Sequence, residues 1–197
     1  MKTTKRHLWL LLSLSLFLSY VIPCTGLTAD PTPEWVTYRN ERYGYQLEYP
    51  TLFWEVIEAQ ARTGQATWSA KILEEGEVQK VTFVEQDARM GFAELQVRVL
   101  KRNRGQDLKG FVGKYEVTDI HGDSLVQAIQ DTTLGGIPAK ELTVWLFDHI
   151  GTQVIAVHGE YIYLLSFARD NPNHPEHERH KGIYQRMVAS FKFLPQR

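Results

Sequence analysis

The chain has 197 residues, 43% of them hydrophobic and 23% charged, with a formal net charge of −1. That length fits one domain, and a body of roughly 165 to 175 residues buries about 70% of its unfolded surface, so no disulfide or metal staple is needed. The single cysteine agrees, having no partner within the chain, and a charge balance this close to zero gives no reason to expect nucleic-acid binding.

Lys2, Lys5 and Arg6 precede an apolar run from Leu8 to Ile22, which ends in Pro23, Cys24, Thr25 and Gly26. This order reads as a signal peptide over residues 1–29. The run is about 15 residues, short of the roughly 20 that a permanent spanning helix needs; an uncleaved anchor is the alternative. Val21-Ile22-Pro23-Cys24 resembles the lipobox of bacterial lipoproteins, with Pro23 in place of the usual small residue, which makes Cys24 the candidate lipid attachment site. Cleavage near Ala29 would instead discard the cysteine. Either way the domain is expected outside the cytoplasm, in a periplasm, lumen or cell envelope. Losing the three leader cations leaves a body near −4, and residues 30–34, with Pro31 and Pro33, form a short stiff tether.

The body starts with a hairpin. Trp35 to Tyr38 is β-prone, Asn40 to Gly44 is turn-like, and Tyr45, Leu47 and Tyr49 alternate with Gln46 and Glu48 until Pro50 stops the run. Phe53 to Ala59 continues as a strand, and further strands are expected at Trp68–Leu73 and Val78–Val84. Ala93, Leu95, Val97 and Val99, alternating with Glu94, Gln96 and Arg98, form the cleanest period-two pattern. A helix from Leu108 to about Val117 is predicted, capped by Asp107 and weakened by Gly110 and Gly113.

Ser124 to Asp131 reads as extended, Gly135-Gly136-Ile137-Pro138 as a turn, and Ala139 to Phe147 as a long strand. Thr152–Val157 and Tyr161–Arg169 make a last hairpin about His158-Gly159. Its second arm is apolar on both sides, Ile162, Leu164 and Ala168 against Tyr161, Tyr163, Leu165 and Phe167, which predicts helices on both faces of the sheet. Asn173 and Glu176 are spaced like a capping box ahead of a final helix whose buried face is His180, Ile183, Tyr184, Met187 and Phe191.

Tyr38, Asn40, Glu41, Tyr43, Gly44, Tyr45, Tyr49, Pro50 and Trp54 resemble the opening of PsbP-like chains. Gly136-Ile137-Pro138-Ala139 resembles their middle, and Ala189-Ser190-Phe191-Lys192-Phe193 their close. The resemblance covers roughly residues 35–194. It implies an α+β fold, an α/β/α sandwich with a central, mainly antiparallel sheet, as one domain over residues 35–197, and a non-catalytic accessory role. The best-known members assist photosystem II in the thylakoid lumen; others are bacterial lipoproteins, and a distant branch binds a nuclear-transport GTPase.

His174, His177 and His180 form the cluster with ligand chemistry. Steps of three spread the rings over about a third of a helix circumference, which two could share for one ion. The helix dipole there favours the neutral imidazole that binds zinc or copper. A divalent metal ion at this cluster is thus the one cofactor candidate, against a solvated helix start with His180 packed beneath. His177-Glu178-Arg179-His180 is no zinc-protease motif, which needs histidines four apart.

Lys101, Arg102 and Arg104 suit an anionic lipid surface or acidic partner, or a solvated loop. Trp35, Tyr38, Tyr43, Tyr45, Tyr49 and Trp54 suit a ligand floor or plain packing. The nucleophile-elbow, phosphate-loop and dinucleotide motifs are absent from the sequence. The functional expectation is therefore an exported, non-enzymatic domain that binds or helps assemble a membrane protein complex. Its rivals are a metal-binding protein using the three histidines and a small-ligand carrier using the aromatic face.

Overall fold

Ten strands and two helices are placed in a computed structural model that describes residues 33–52, 54–59, 76–86, 93–114, 124–146, 149–170, 173 and 175–195. These fall within one unit, Pro33–Arg197. The leader, Cys24, the start of the tether, the expected strand at Trp68–Leu73 and His174 lie outside the described residues.

The opening hairpin forms as its alternation predicts. Strand β1 (Trp35–Asn40) pairs antiparallel with β2 (Tyr45–Pro50), with Tyr38 opposite Leu47. Gly44, at φ 65°, supplies the left-handed turn residue. The next strand does not extend this hairpin. After Pro50 the chain changes sheets, and β3 (Trp54–Glu58) pairs with β4 (Glu77–Glu85). The single sheet expected from the sequence is thus two: β1-β2-β10 and a seven-stranded sheet ordered β3-β4-β5-β9-β8-β7-β6.

The large sheet is antiparallel throughout: β5 (Glu94–Lys101), β6 (Val126–Leu134), β7 (Ile137–Leu146), β8 (His149–His158) and β9 (Tyr161–Asp170). Strands β6 and β7 close on Gly135-Gly136, both at positive φ. The second arm predicted to be covered on both sides is β9. Tyr163, Leu165 and Phe167 enter one core cluster and Ile162 and Leu164 the other.

On one face that core holds Tyr45, Leu47, Val97 and Leu165, all fully buried, beneath the small sheet and helix α2 (His177–Ser190). On the opposite face Val112, Leu108 and Phe111 of helix α1 (Leu108–Val112) pack with Leu142, Ile155 and Leu164. Helices therefore cover both faces, as β9 required. Asp107 caps α1 by accepting from the Gly110 N–H at 2.7 Å. The α-helix ends earlier than the spacing predicts, at Val112, where Gly113 and Lys114 donate to Lys109 and Phe111 and close the last turn.

Helix α2 buries the predicted His180, Ile183, Tyr184 and Met187, and Phe191 follows it into the core. It begins at His177 with Glu176 as the cap position and no side-chain cap bond. The Glu176 carboxylate reaches forward to accept from Arg179 Nε at 2.8 Å. After α2, β10 (Lys192–Phe193) pairs with Gln46 and Tyr45 of β2, so the two ends of the domain meet in one small sheet.

Tyrosine hydroxyls stitch the two sheets together. Tyr38 donates to Glu58 at 2.7 Å, Tyr43 to the Val78 carbonyl at 2.7 Å, Tyr45 to Gln79 at 3.0 Å and Tyr163 to the Tyr43 carbonyl at 2.6 Å. These four phenols thus keep a partner, which removes most of the cost of burying them.

Candidate functional site

The predicted histidine cluster sits where α2 begins. His180 is 5% exposed, and its Nε2 lies 2.8 Å from Oε2 of Glu85, a carboxylate 1% exposed at the end of β4. Arg179 reaches the other oxygen, Oε1, at 2.5 Å and passes 2.9 Å from the same imidazole nitrogen. Both Glu85 oxygens are therefore covered by cationic or N–H groups, as a buried carboxylate requires. His180 Nε2 is thus engaged in a buried cluster with Glu85 and Arg179.

His177 points its Nε2 toward Glu178, 3.5 Å away. The structure thus sends His177 and His180 to different carboxylates, and His174 lies outside the described residues. Among the described residues no group of three or more His, Cys, Asp or Glu side chains is placed to hold a metal ion. A second buried ion group, absent from the sequence reading, occupies β4 and β5: Glu77 bonds Arg98, with Lys80 Nζ 4.0 Å away.

Most of the predicted aromatic floor is packing. Tyr45 stacks on Phe191 with centroids 5.5 Å apart, Tyr38 and Tyr49 pack against Phe83, and the Arg186 guanidinium lies 3.9 Å from the Trp35 ring centroid. Burial, and then the hydrogen bond to Glu58, push the Tyr38 hydroxyl up to about 12. Burial does the same for Tyr163.

Tyr43 is the exception. It lines a cavity of about 330 Å³ at one end of the sheets, with Arg39, Arg42, Glu160, Tyr161 and Tyr163. Its wall is built by two turns. Gly44 bends β1 into β2 and receives the Leu194 N–H at 2.8 Å, while Glu160 lies in the β8–β9 turn. The basic loop joins this end, because Lys101 pairs with Tyr161 and the Arg102 N–H donates to the Glu160 carbonyl at 2.8 Å. Arg42 lies 5.4 Å from the Tyr43 ring centroid, near enough for a cation–π contact. Sequence reasoning singled out Tyr43 and Lys101, Arg102 and Arg104 separately, but sixty residues part them and only the sheet register brings them together.

A second concavity, about 540 Å³, runs between α2 and the β6–β7 hairpin past Gly135, Glu141, Gln185 and Lys192. Tyr184 lines it, with a buried hydroxyl that has no hydrogen-bond partner among the described residues. Burial, and then the Glu141 charge, hold that phenol in its neutral form well beyond the usual range. Its place on the helical face is visible in the sequence; the lack of a partner is a tertiary fact.

The backbone is similar to that of cyanobacterial PsbP (CyanoP) from Synechocystis sp. PCC 6803. The TM-score is 0.54, with 13% identity over 84% of this chain and 95% of that one. It also aligns with LpqN of Mycobacterium tuberculosis, a protein involved in cell envelope biogenesis, at a TM-score of 0.45 and 13% identity over 84% of this chain and 94% of that one. No protein-family model and no curated protein sequence matches the chain. Two packed antiparallel sheets, a helix on each face of the larger, and near-complete coverage of the cyanobacterial protein give this chain the PsbP-like fold.

Proposed function

We propose that this chain is an exported, non-catalytic accessory domain that binds a protein of a membrane complex through the end carrying the Tyr43 cavity. The carrying observation is the junction of the basic loop with the cavity rim through the Arg102 N–H to Glu160 bond. It sets the basic loop beside a concave surface lined by Arg39, Arg42, Glu41 and Glu160 and floored by Tyr43 and Tyr161. Tyrosine and arginine are the residue types that most often carry binding energy at protein interfaces. Glu41 and Glu160 match the two lining arginines, so it is Lys101, Arg102 and Arg104 of the adjoining loop that supply the excess of cations favouring an acidic partner. The likeness to cyanobacterial PsbP supports the same reading.

Co-purification from mildly solubilised membranes tests it. A stoichiometric protein should accompany the wild-type chain and be lost from an Arg42→Glu/Arg104→Glu variant of unchanged melting temperature. Recovery of free protein alone, or undiminished capture by the variant, rejects it. Export with acylation at Cys24 belongs to the same proposal: Cys24→Ser should release the protein from membranes, and unchanged fractionation rejects acylation. The volume beside Tyr43 favours a second reading, a carrier of a small ligand. Native mass spectrometry of the exported chain, with or without a bound small molecule, decides it.

A further inference from the structure

Strand β6 ends the large sheet, and among the described residues its outer edge meets no other strand. The sheet's other edge, β3, is five residues long with two exposed acids, Glu55 and Glu58, whereas β6 runs for nine residues and carries one charge, Asp131. Short length and charge are the usual devices that keep an edge from pairing, and β6 largely lacks them. Its side chains from Gln127 to Asp131 are exposed, Ile129 at 52%.

The turn decides which backbone groups face outward. Leu134 and Ile137 flank the two-residue Gly135-Gly136 loop and so exchange both hydrogen bonds. Alternation then turns the N–H and C=O of Thr133, Asp131 and Ile129 away from β7. Pro138 fits this pattern, since as the partner of Thr133 it needs no N–H toward β6. A bulge between Val126 and Ala128 bounds the regular stretch to Ala128–Leu134.

We propose that this outer edge docks a second copy of the chain, the two β6 strands pairing antiparallel about a two-fold axis through Gln130. Charge favours a copy as the occupant. Asp131 is paired with Lys140 Nζ at 2.6 Å and Glu141 accepts from Gln130 Nε2 at 2.7 Å, so each carboxylate along the edge is already held within its own copy. Facing residues must share a face, so the axis passes through a residue. An axis at Asp131 opposes two carboxylates, and one at Ile129 runs the overlap into the bulge. With Gln130 on the axis, Ile129 and Asp131 of each copy exchange backbone bonds, and Ile129 is laid beside the partner copy's Asp131–Lys140 pair. An overlap this short makes a weak, concentration-dependent dimer.

Cysteine pairing in the full chain tests the register, with Cys24→Ser in every variant. Gln130→Cys places two thiols on the axis, where facing Cα atoms of a non-hydrogen-bonded pair stand roughly 4.5 Å apart, within disulfide range. Thr133→Cys places them about 20 Å apart. Mild oxidation should yield a disulfide dimer from Gln130→Cys and none from Thr133→Cys. Adding Asp131→Pro, which deletes an outward N–H, should abolish the dimer while circular dichroism stays unchanged. Equal cross-linking of both cysteine variants, coupling of Gln130→Cys only to other proteins, or no dimer at any concentration overturns the proposal.

Discussion

Replacing His180 with phenylalanine separates a structural histidine from a metal ligand. The substitution keeps an aromatic ring on the buried face of α2 but leaves Glu85 Oε2 without its partner 2.8 Å away. Arg179 still holds the other oxygen at 2.5 Å, so the loss is one buried hydrogen bond to a charged group and not the whole pairing. Leaving such an acceptor unsatisfied costs about 1–3 kcal/mol. In a domain of this size that corresponds to a fall of roughly 4–8 °C in melting temperature for a mid-range 2 kcal/mol. Thermal unfolding by circular dichroism reads the shift, and zinc titration by calorimetry is run on the same samples. The expected outcome is a lower melting temperature with unchanged zinc binding. A Glu85→Gln/His180→Phe double variant should lose less than the sum of the singles, since both act on one contact. An unchanged melting temperature with abolished zinc affinity would refute the reading of His180 as a strut.

Val97 is fully buried between β4 and β9. Val97→Ala should cost about 2 kcal/mol in urea unfolding, while Val97→Asp, which adds a buried carboxylate, should leave little folded protein by circular dichroism. Gly135→Ala should lower the urea midpoint more than Gly136→Ala. Both positions have positive φ, but a Cβ at Gly135 would stand 2.8 Å from the Phe193 ring and one at Gly136 meets nothing; the backbone term alone is about 1–2 kcal/mol. Stability should also fall as the pH rises above about 10. Tyr38 and Tyr163 titrate near 12 when folded, so between those values the unfolded chain has released protons that the folded chain keeps. Absorbance at 295 nm should show these phenols still neutral between about pH 10 and 12 while the chain stays folded, and a stability independent of pH over that range would count against their burial.

What was legible in the sequence was periodic. Leu95, Val97 and Val99 on β5, the two-sided β9 and the buried stripe of α2 each followed from spacing, because burial acts on every second or every third to fourth residue. The sheet change after Pro50 was not legible. Trp54 and Ile57 read as strand whichever sheet they join, and their pairing with β4 is a long-range choice. Lys80 shows the same limit: local pattern makes it a strand residue, but its burial beside Glu77 rests on what the fold brings over it. His180 shows the same limit. Spacing of three put His177 and His180 near one another on α2, while the carboxylate that claims His180 comes from β4, 95 residues earlier.

The pairing of β10 with β2 has a consequence for the order in which this molecule matures. Tyr45 waits for Phe193, and the Glu48 N–H for the Ser190 hydroxyl at 2.8 Å, 142 residues further along the chain. Contacts across so much intervening chain form late. The small sheet therefore stays unfinished until that segment is in place, and removing the segment after Met187 would strand the opening hairpin with one edge bare.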